Sequence, residues 1–423
     1  MTAAPLAGNT TRHAGSLPWP VGVPGCRFER GRGQVRGLLT TWTRRAHYHG
    51  VVMTFNEMLT RFVAQGASDV HLHTGLRPLA RINGRLVPVS DTKLTPKITD
   101  SLISIMCSDR HKALFDKHHQ VDLAYSVSGL GRFRVNLFRQ RSSVSAVLRV
   151  INSDEEHLRV VNLPQDLIEH FRDQEKGLVL VTGPTGSGKS TTLARVVDEI
   201  NRVHEKMIIT VEDPIEYLHR SKKSAIVQRE VGMDATSFSD ALVSAMRQDP
   251  DVIMIGEIRD YATATAAISA AQTGHLVFST LHTLDTVRTV NRVLELFPPH
   301  ERDTARFLFA DSLIGIVSQR LLPRKGGKGR IAAMEVMKGT LRIKDLIRDE
   351  DRTGELYDAL KDSRLDGMMV FDDSLAELYG EDIIDYETGM MAATSAQAFK
   401  MAATQIDLNR DRETPSTGLT QWG

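Results

Sequence analysis

Hydrophobic and polar positions change rhythm three times along this 423-residue chain. Up to Val52 neither a period of 2 nor one of 3.6 is sustained, and Pro and Gly interrupt the chain repeatedly. Phe55, Leu59, Phe62 and Val63 then fall at helical spacing, which predicts an amphipathic helix opening at about Met53. From Ser68 short alternating runs take over: Asp69-Val70-His71-Leu72-His73, then Leu79-Ala80-Arg81-Ile82 ending at Asn83-Gly84, a hairpin signal. One long helical stretch, 98–115, precedes three more strand-like runs at 121–125, 131–137 and 145–150. This order predicts an α+β domain with a mostly antiparallel sheet over 53–151, closed by a charged linker at 152–164.

Past Lys176 the runs at 178–182, 207–211, 252–255 and 276–279 are almost continuously apolar and read as buried parallel strands. Helical stretches at 190–201, 238–247 and 261–273 alternate with them, so 165–340 reads as an α/β domain. After Phe297-Pro298-Pro299 a helix at about 300–313 leads into a strand at 316–321. Segments over 341–402 read as a helical appendage, and the polar residues 403–423 as a disordered tail. The basic loop Arg324-Lys325-Gly326-Gly327-Lys328-Gly329-Arg330 reads as a solvated hairpin turn, with phosphate binding as its alternative.

Composition removes whole classes. Hydrophobic residues at 41% and charged ones at 25% are ordinary globular values. Two cysteines, Cys26 and Cys107, cannot build a disulfide scaffold or a four-thiolate zinc site. No apolar run reaches about 18 residues, so no membrane-spanning helix is expected. The total charge of +1 conceals an asymmetry: residues 1–52 hold seven Arg, no Lys and one acid, a net of +6, which leaves −5 for the body. A mildly acidic body argues against direct binding to nucleic-acid phosphates. The expectation is a soluble cytoplasmic protein. Its head, 1–52, reads as a disordered extension or as sequence ahead of a true start at Met53, with a basic recruitment arm as the alternative.

The chemistry concentrates in the second domain. Gly183-Pro184-Thr185-Gly186-Ser187-Gly188-Lys189-Ser190-Thr191 fits the P-loop pattern and lies between an apolar run and a helical one. Its glycines let successive amides turn inward around phosphate oxygens, and the helix N-terminus adds positive charge. Lys189 is expected on the β- and γ-phosphates, and the Ser190 hydroxyl on Mg²⁺. Ligands of open parallel sheets sit at the carboxyl ends of the strands. There, 207–211 ends in Glu212-Asp213-Pro214-Ile215-Glu216, and 252–255 ends in Gly256-Glu257-Ile258-Arg259-Asp260. One acid can complete a magnesium shell and another can take a proton from the attacking water. His282 closes the next strand, placed to sense nucleotide, and His275 opens it. The pairs His71/His73 and His118/His119 read as ordinary surface residues. Arg132, Arg134, Arg139 and Arg141 cluster on and after one strand, either as a solvated basic face or as arginine fingers for the nucleotide phosphates.

Taken in order, these motifs resemble the secretion ATPases of type II secretion and type IV pili, most closely the pilus retraction motors of the PilT/PilU type. The likeness runs from about Phe55 to about Tyr379. Ala67-Ser68-Asp69-Val70-His71-Leu72 is similar to the family's PAS-like N-terminal domain, and Gly131-Arg132-Phe133-Arg134-Val135-Asn136 to its arginine-bearing strand. Val211 to Glu216 resembles the Asp box, Gly256 to Asp260 the atypical Walker B, and Thr273-Gly274-His275 through His282-Thr283 the His box. Gly339-Thr340-Leu341-Arg342-Ile343-Lys344-Asp345-Leu346-Ile347-Arg348 resembles a retraction-motor helix, with Leu341 and Lys344 departing from it. Gly367-Met368-Met369-Val370-Phe371-Asp372 is more like the PilU-type ending.

The resemblance implies a RecA-like α/β P-loop ATPase domain behind a PAS-like α+β domain, assembled as a ring homohexamer. It implies ATP and Mg²⁺ as cofactors, Glu212 as general base, Glu257 at the metal, and His275 and His282 in a sensing box. Arg132, Arg134 and Arg139 would close on the nucleotide. It also implies a place at the inner face of the cytoplasmic membrane, held only through partners such as the inner-membrane pilus platform protein. A pilus extension or type II secretion ATPase is the alternative within the family. A RecA-like nucleic-acid motor and a non-hydrolysing adaptor stand outside it.

Overall fold

The computed structural model describes residues 46–48, 51–82, 84–151, 158, 161–327 and 329–413. Most of the basic head, residues 152–157, 159 and 160 of the 152–164 linker, and residues 414–423 lie outside the described residues. Regular structure begins ahead of Met53: β1 (Ala46–Tyr48) pairs antiparallel with β2 (Val51–Met53). The first helix therefore opens not at Met53 but at Phe55, after a capping box. Thr54 Oγ1 accepts the Glu57 N–H, and the Glu57 carboxylate accepts the Thr54 N–H at 2.6 Å.

The first domain is built on β3 (Ala67–His73), β4 (Leu79–Ile82), β5 (Arg85–Pro88), β6 (Gln120–Val127), β7 (Gly131–Gln140) and β8 (Ser143–Ile151). Their order is β5-β4-β3-β8-β7-β6, and every neighbouring pair is antiparallel. Strand alternation buries Val70, Leu72, Phe133, Val135 and Leu137 beneath the helices, together with Leu59 and Phe115, and leaves Arg134 exposed. The single helix expected over 98–115 is two, Pro96–Met106 and Asp109–His118. Ser108 splits them, because its Oγ accepts the His111 N–H while the His111 ring turns back to the Ser108 backbone. Helical periodicity continues across the break, so spacing alone hides the cap.

The second domain carries a seven-stranded sheet in the order β11-β10-β12-β13-β9-β14-β15. Its strands are β9 (Gly177–Thr182), β10 (Met207–Glu212), β11 (Ala225–Glu230), β12 (Val252–Ile255), β13 (Leu276–Leu281), β14 (Leu313–Pro323) and β15 (Arg330–Lys338). All pairs are parallel except β14 with β15. β9 is buried on both faces. Leu178 and Leu180 join one core with Ile268 and Phe309, whereas Val179 and Val181 join the other with Leu193 and Val197 of the helix Lys189–Val203.

The expected disordered tail from 403 is corrected: the last helix runs Ala396–Glu413. Phe399 and Ala403 are buried with Phe371, Leu375 and Leu378. Tyr379 donates its hydroxyl to Asp407 at 2.9 Å, and the Arg410 guanidinium donates to the carbonyls of Tyr379 and Gly380, both at 2.8 Å. The apolar stripe is narrow in an otherwise polar sequence, which hides the helix from composition. Between the domains, the Arg132 guanidinium of β7 donates to Glu230 of β11 at 2.8 Å. Among the described residues no helix is long and apolar enough to cross a membrane.

Candidate nucleotide-binding site

The loop between β9 and the helix Lys189–Val203 is shaped by glycine. Gly183 has φ +141°, and a Cβ there would sit 2.4 Å from the Gln319 carbonyl of β14 and 2.6 Å from Ser187 Oγ. No side chain fits. Gly186 and Gly188 take the left-handed region at φ 80° and 94°, which turns the intervening amides inward. Lys189 is buried, and its Nζ donates to the carbonyls of Gly183 (2.8 Å) and Pro184 (3.1 Å). Burial pulls its pKa below the usual lysine value, opposed by the Glu216 carboxylate. Ser187 Oγ is buried without a hydrogen-bond partner inside this cradle. Thr191 shares a hydroxyl contact of 2.9 Å with Tyr217, and the Gln319 amide donates to Thr192 at 2.8 Å, fastening the helix to β14.

A cavity of about 430 Å³ joins this loop to the ends of the neighbouring strands and is lined by Lys189, Ser190, Glu212, Glu257 and His282. Glu212, the last residue of β10, is 7% exposed. It accepts hydrogen bonds from Thr210 Oγ1 (2.8 Å), Gln228 Nε2 (3.1 Å) and the Glu216 N–H (3.2 Å). Burial pushes its pKa up to about 6, with those three donors pulling the other way. Glu257 follows β12, with one carboxylate oxygen 3.1 Å from His282 Nε2 and the other paired with Arg259. Burial first, then the Lys189 and Arg259 cations, hold the His282 pKa below the usual histidine value. A neutral imidazole is therefore the form facing Glu257 at neutral pH.

Two groups of expected site residues lie elsewhere. His275 precedes β13, at the opposite end from His282. Six strand residues separate them, roughly 20 Å. Its Nδ1 lies 2.9 Å from the Ala270 carbonyl, a local contact at the end of the preceding helix. Its grouping with the catalytic residues is corrected for this cavity. The arginines also stay outside the cavity of their own chain. Arg132 pairs with Glu230, Arg139 stacks on Phe115 with its guanidinium carbon 5.3 Å from the ring centre, and Arg134 is exposed on the sheet. Conversely, Tyr217, Arg259 and Arg330 line the cavity, and Gln228 reaches Glu212 across the β10–β11 pair. Arg259 lay within the quoted Walker B run. Tyr217 directly follows the Glu212–Glu216 run, whereas Gln228 reaches the site only through the β10–β11 pairing.

A glycine-rich phosphate loop on a central parallel strand, with two buried carboxylates and a histidine at the next strand ends, defines a RecA-like P-loop ATPase. Residues 46–343 match the family model described as type II/IV secretion system protein, and the chain belongs to that family. It is 41% identical to the type IV pilus retraction ATPase PilT of Pseudomonas aeruginosa over 82% of this chain and 100% of that protein. Identity to the type IV pilus ATPase PilU of the same organism is 37%, over 82% of this chain and 91% of the other. The crystal structure of the pilus retraction motor PilT with bound ADP aligns with a TM-score of 0.76 at 41% identity, covering 82% of this chain and 99% of that one.

Proposed function

We propose that the protein is a ring-forming, Mg²⁺-dependent ATPase motor that works at the cytoplasmic face of the membrane and retracts type IV pili. One observation carries the reading: Glu212 and Glu257, both buried, share a cavity with Lys189 of the P-loop. The similarity over the full length of a retraction ATPase and 82% of this chain supplies the biological direction. Lys189 is placed to exchange its two carbonyl partners for phosphate oxygens. Glu212, titrating at about 6, is largely ionised at neutral pH yet basic enough to take a proton from the attacking water. Ser190 and Glu257 offer oxygen donors of the kind Mg²⁺ takes alongside retained water. When bound, Mg²⁺ neutralises charge developing on the β- and γ-phosphates. His282, tied to Glu257, links that carboxylate to the loop after β13.

In a homohexameric ring the exposed arginines of the first domain close on nucleotide, and a membrane-embedded pilus platform protein is the partner that receives the motion. The test has two parts. Purified protein should hydrolyse ATP only with Mg²⁺, and Lys189→Ala should abolish this. In cells that make type IV pili, deleting the gene should leave pili that extend without retracting, restored by the wild-type gene and not by Lys189→Ala. Pili that fail to extend in the deletion strain would point instead to an extension motor.

A further inference from the structure

Beneath the nucleotide cavity the sheet carries a row of polar side chains where burial favours apolar ones. Thr182 of β9, Ser318 of β14 and Glu335 of β15 stand opposite one another in register. Cross-strand partners point to one face. Here it is the face of Leu180, Ile316 and Met337, which pack with Val290 and Val293 of the helix Thr286–Glu295 and away from the P-loop helix. Thr182, Ser318, Thr286 and Thr289 are fully buried, and Glu335 is 2% exposed. Polar groups cost free energy in such a place unless they are hydrogen-bonded.

These groups bond to one another. Glu335 accepts both the N–H and the hydroxyl of Thr286, each at 2.8 Å, which pins the first residue of the helix. Thr182 Oγ1 lies 2.7 Å from Ser318 Oγ and 3.3 Å from Thr289 Oγ1. Thr289 Oγ1 lies in turn 2.6 Å from Thr283 Oγ1 and 2.7 Å from the Asp285 carbonyl. Thr182 directly precedes Gly183, whose carbonyl holds Lys189, and Thr283 directly follows His282, whose ring meets Glu257. One hydroxyl thus joins the two sides of the site from below.

We infer that Thr289 is a positioning residue for ATP hydrolysis. It lies under the cavity rather than in its lining, and it sets the loop that carries His282, and through His282 the Glu257 carboxylate, against the phosphate loop. This deepens the reading of the cavity as an ATPase site and rests on it. Deleting the hydroxyl frees the loop without altering any group that meets nucleotide, so turnover suffers while ground-state binding does not.

Steady-state ATP hydrolysis by the full chain tests the assignment. Thr289→Val keeps the shape and deletes the hydroxyl. Its kcat should fall by roughly 10- to 100-fold, the cost of a misplacement of up to about 1 Å, with KM for ATP within about 2-fold of wild type. Thr289→Ser keeps the hydroxyl and should hold kcat within about 3-fold of wild type. Thr283→Val cuts the same link at the half-buried loop and should reproduce the loss. Combined with Thr289→Val it should add nothing further. An unchanged kcat in Thr283→Val, equal losses in Thr289→Ser and Thr289→Val, or multiplied losses in the double variant would each overturn the role. So would a loss that appears in KM rather than kcat. The Thr283→Val and Thr289→Ser results decide the matter even where Thr289→Val fails to fold. A wild-type chain that hydrolyses no ATP with Mg²⁺ would sink the ATPase reading and the positioning role with it, a result distinct from these.

Discussion

Glu212 combines near-complete burial with a function that needs its charge. Three hydrogen bonds hold the carboxylate, but desolvation outweighs them and its pKa stands at about 6 against an ordinary 4.5. Activity should therefore rise with pH through about 6 as the base ionises. Glu212→Gln, isosteric and without a base, should cut turnover by at least roughly 100-fold while nucleotide still binds. Turnover near wild type would remove Glu212 from its role. The same shift has a sign for stability. A carboxyl whose folded pKa is raised favours folding below pH 4.5, and that contribution is lost as pH rises through 6. The difference, about 1.5 pH units, corresponds to about 2 kcal/mol. Glu212→Gln should thus melt higher than wild type at pH 7.5 and show no such advantage at pH 4.5. Thermal melts at the two values check this.

At the scale of elements, the joint between β7 and β11 reaches the catalytic loop. Arg132 and Glu230 pair with side chains only 18% and 6% exposed. Glu230 also accepts the Ile215 N–H at 3.3 Å, and Ile215 sits next to Glu216, whose N–H holds Glu212. Removing the arginine strands a buried carboxylate. Arg132→Ala should destabilise the chain by about 3 kcal/mol, and adding Glu230→Gln should recover most of that loss. Urea melts of the two variants decide it; additive losses would show that the pair is not coupled. This joint also shows what the sequence could not reveal. The strands β9, β10, β12 and β13 were legible because they are buried on both faces, and so were the carboxylates ending two of them. β11 is an edge strand whose apolar run is only Ala225-Ile226-Val227 before Gln228, Arg229 and Glu230, too short and too polar to stand out as a strand. Without β11 there is no Glu230 beside Arg132 and no Gln228 beside Glu212. Arg132 therefore read as part of a solvated basic face or as an arginine finger. The helix Ala396–Glu413 escaped for the related reason that, among its described residues, only Phe399 and Ala403 are buried in the core.

At the scale of the whole molecule, the chain's cavity is lined by Lys189, Arg259 and Arg330 but, among the described residues, by no arginine of the first domain. Arg134 stands exposed on the sheet, and among the described residues no carboxylate pairs with it. In the proposed ring, head-to-tail packing sets the exposed face of one subunit against a different surface of the next, because a heterologous interface pairs unlike surfaces. If Arg134 acts across that interface, neither Arg134→Ala nor Glu212→Gln should hydrolyse ATP well alone. Mixed in equal amounts, unfolded and refolded together, they should recover activity. An Arg134→Ala subunit still offers Glu212, and a Glu212→Gln neighbour still offers Arg134, so about one interface in four regains both. Steady-state turnover of the mixture against each parent is the measurement. Recovery toward a quarter of wild type establishes arginine donation between subunits. A mixture no better than the average of its parents, from rings of normal mass, would confine each site to the residues of a single chain.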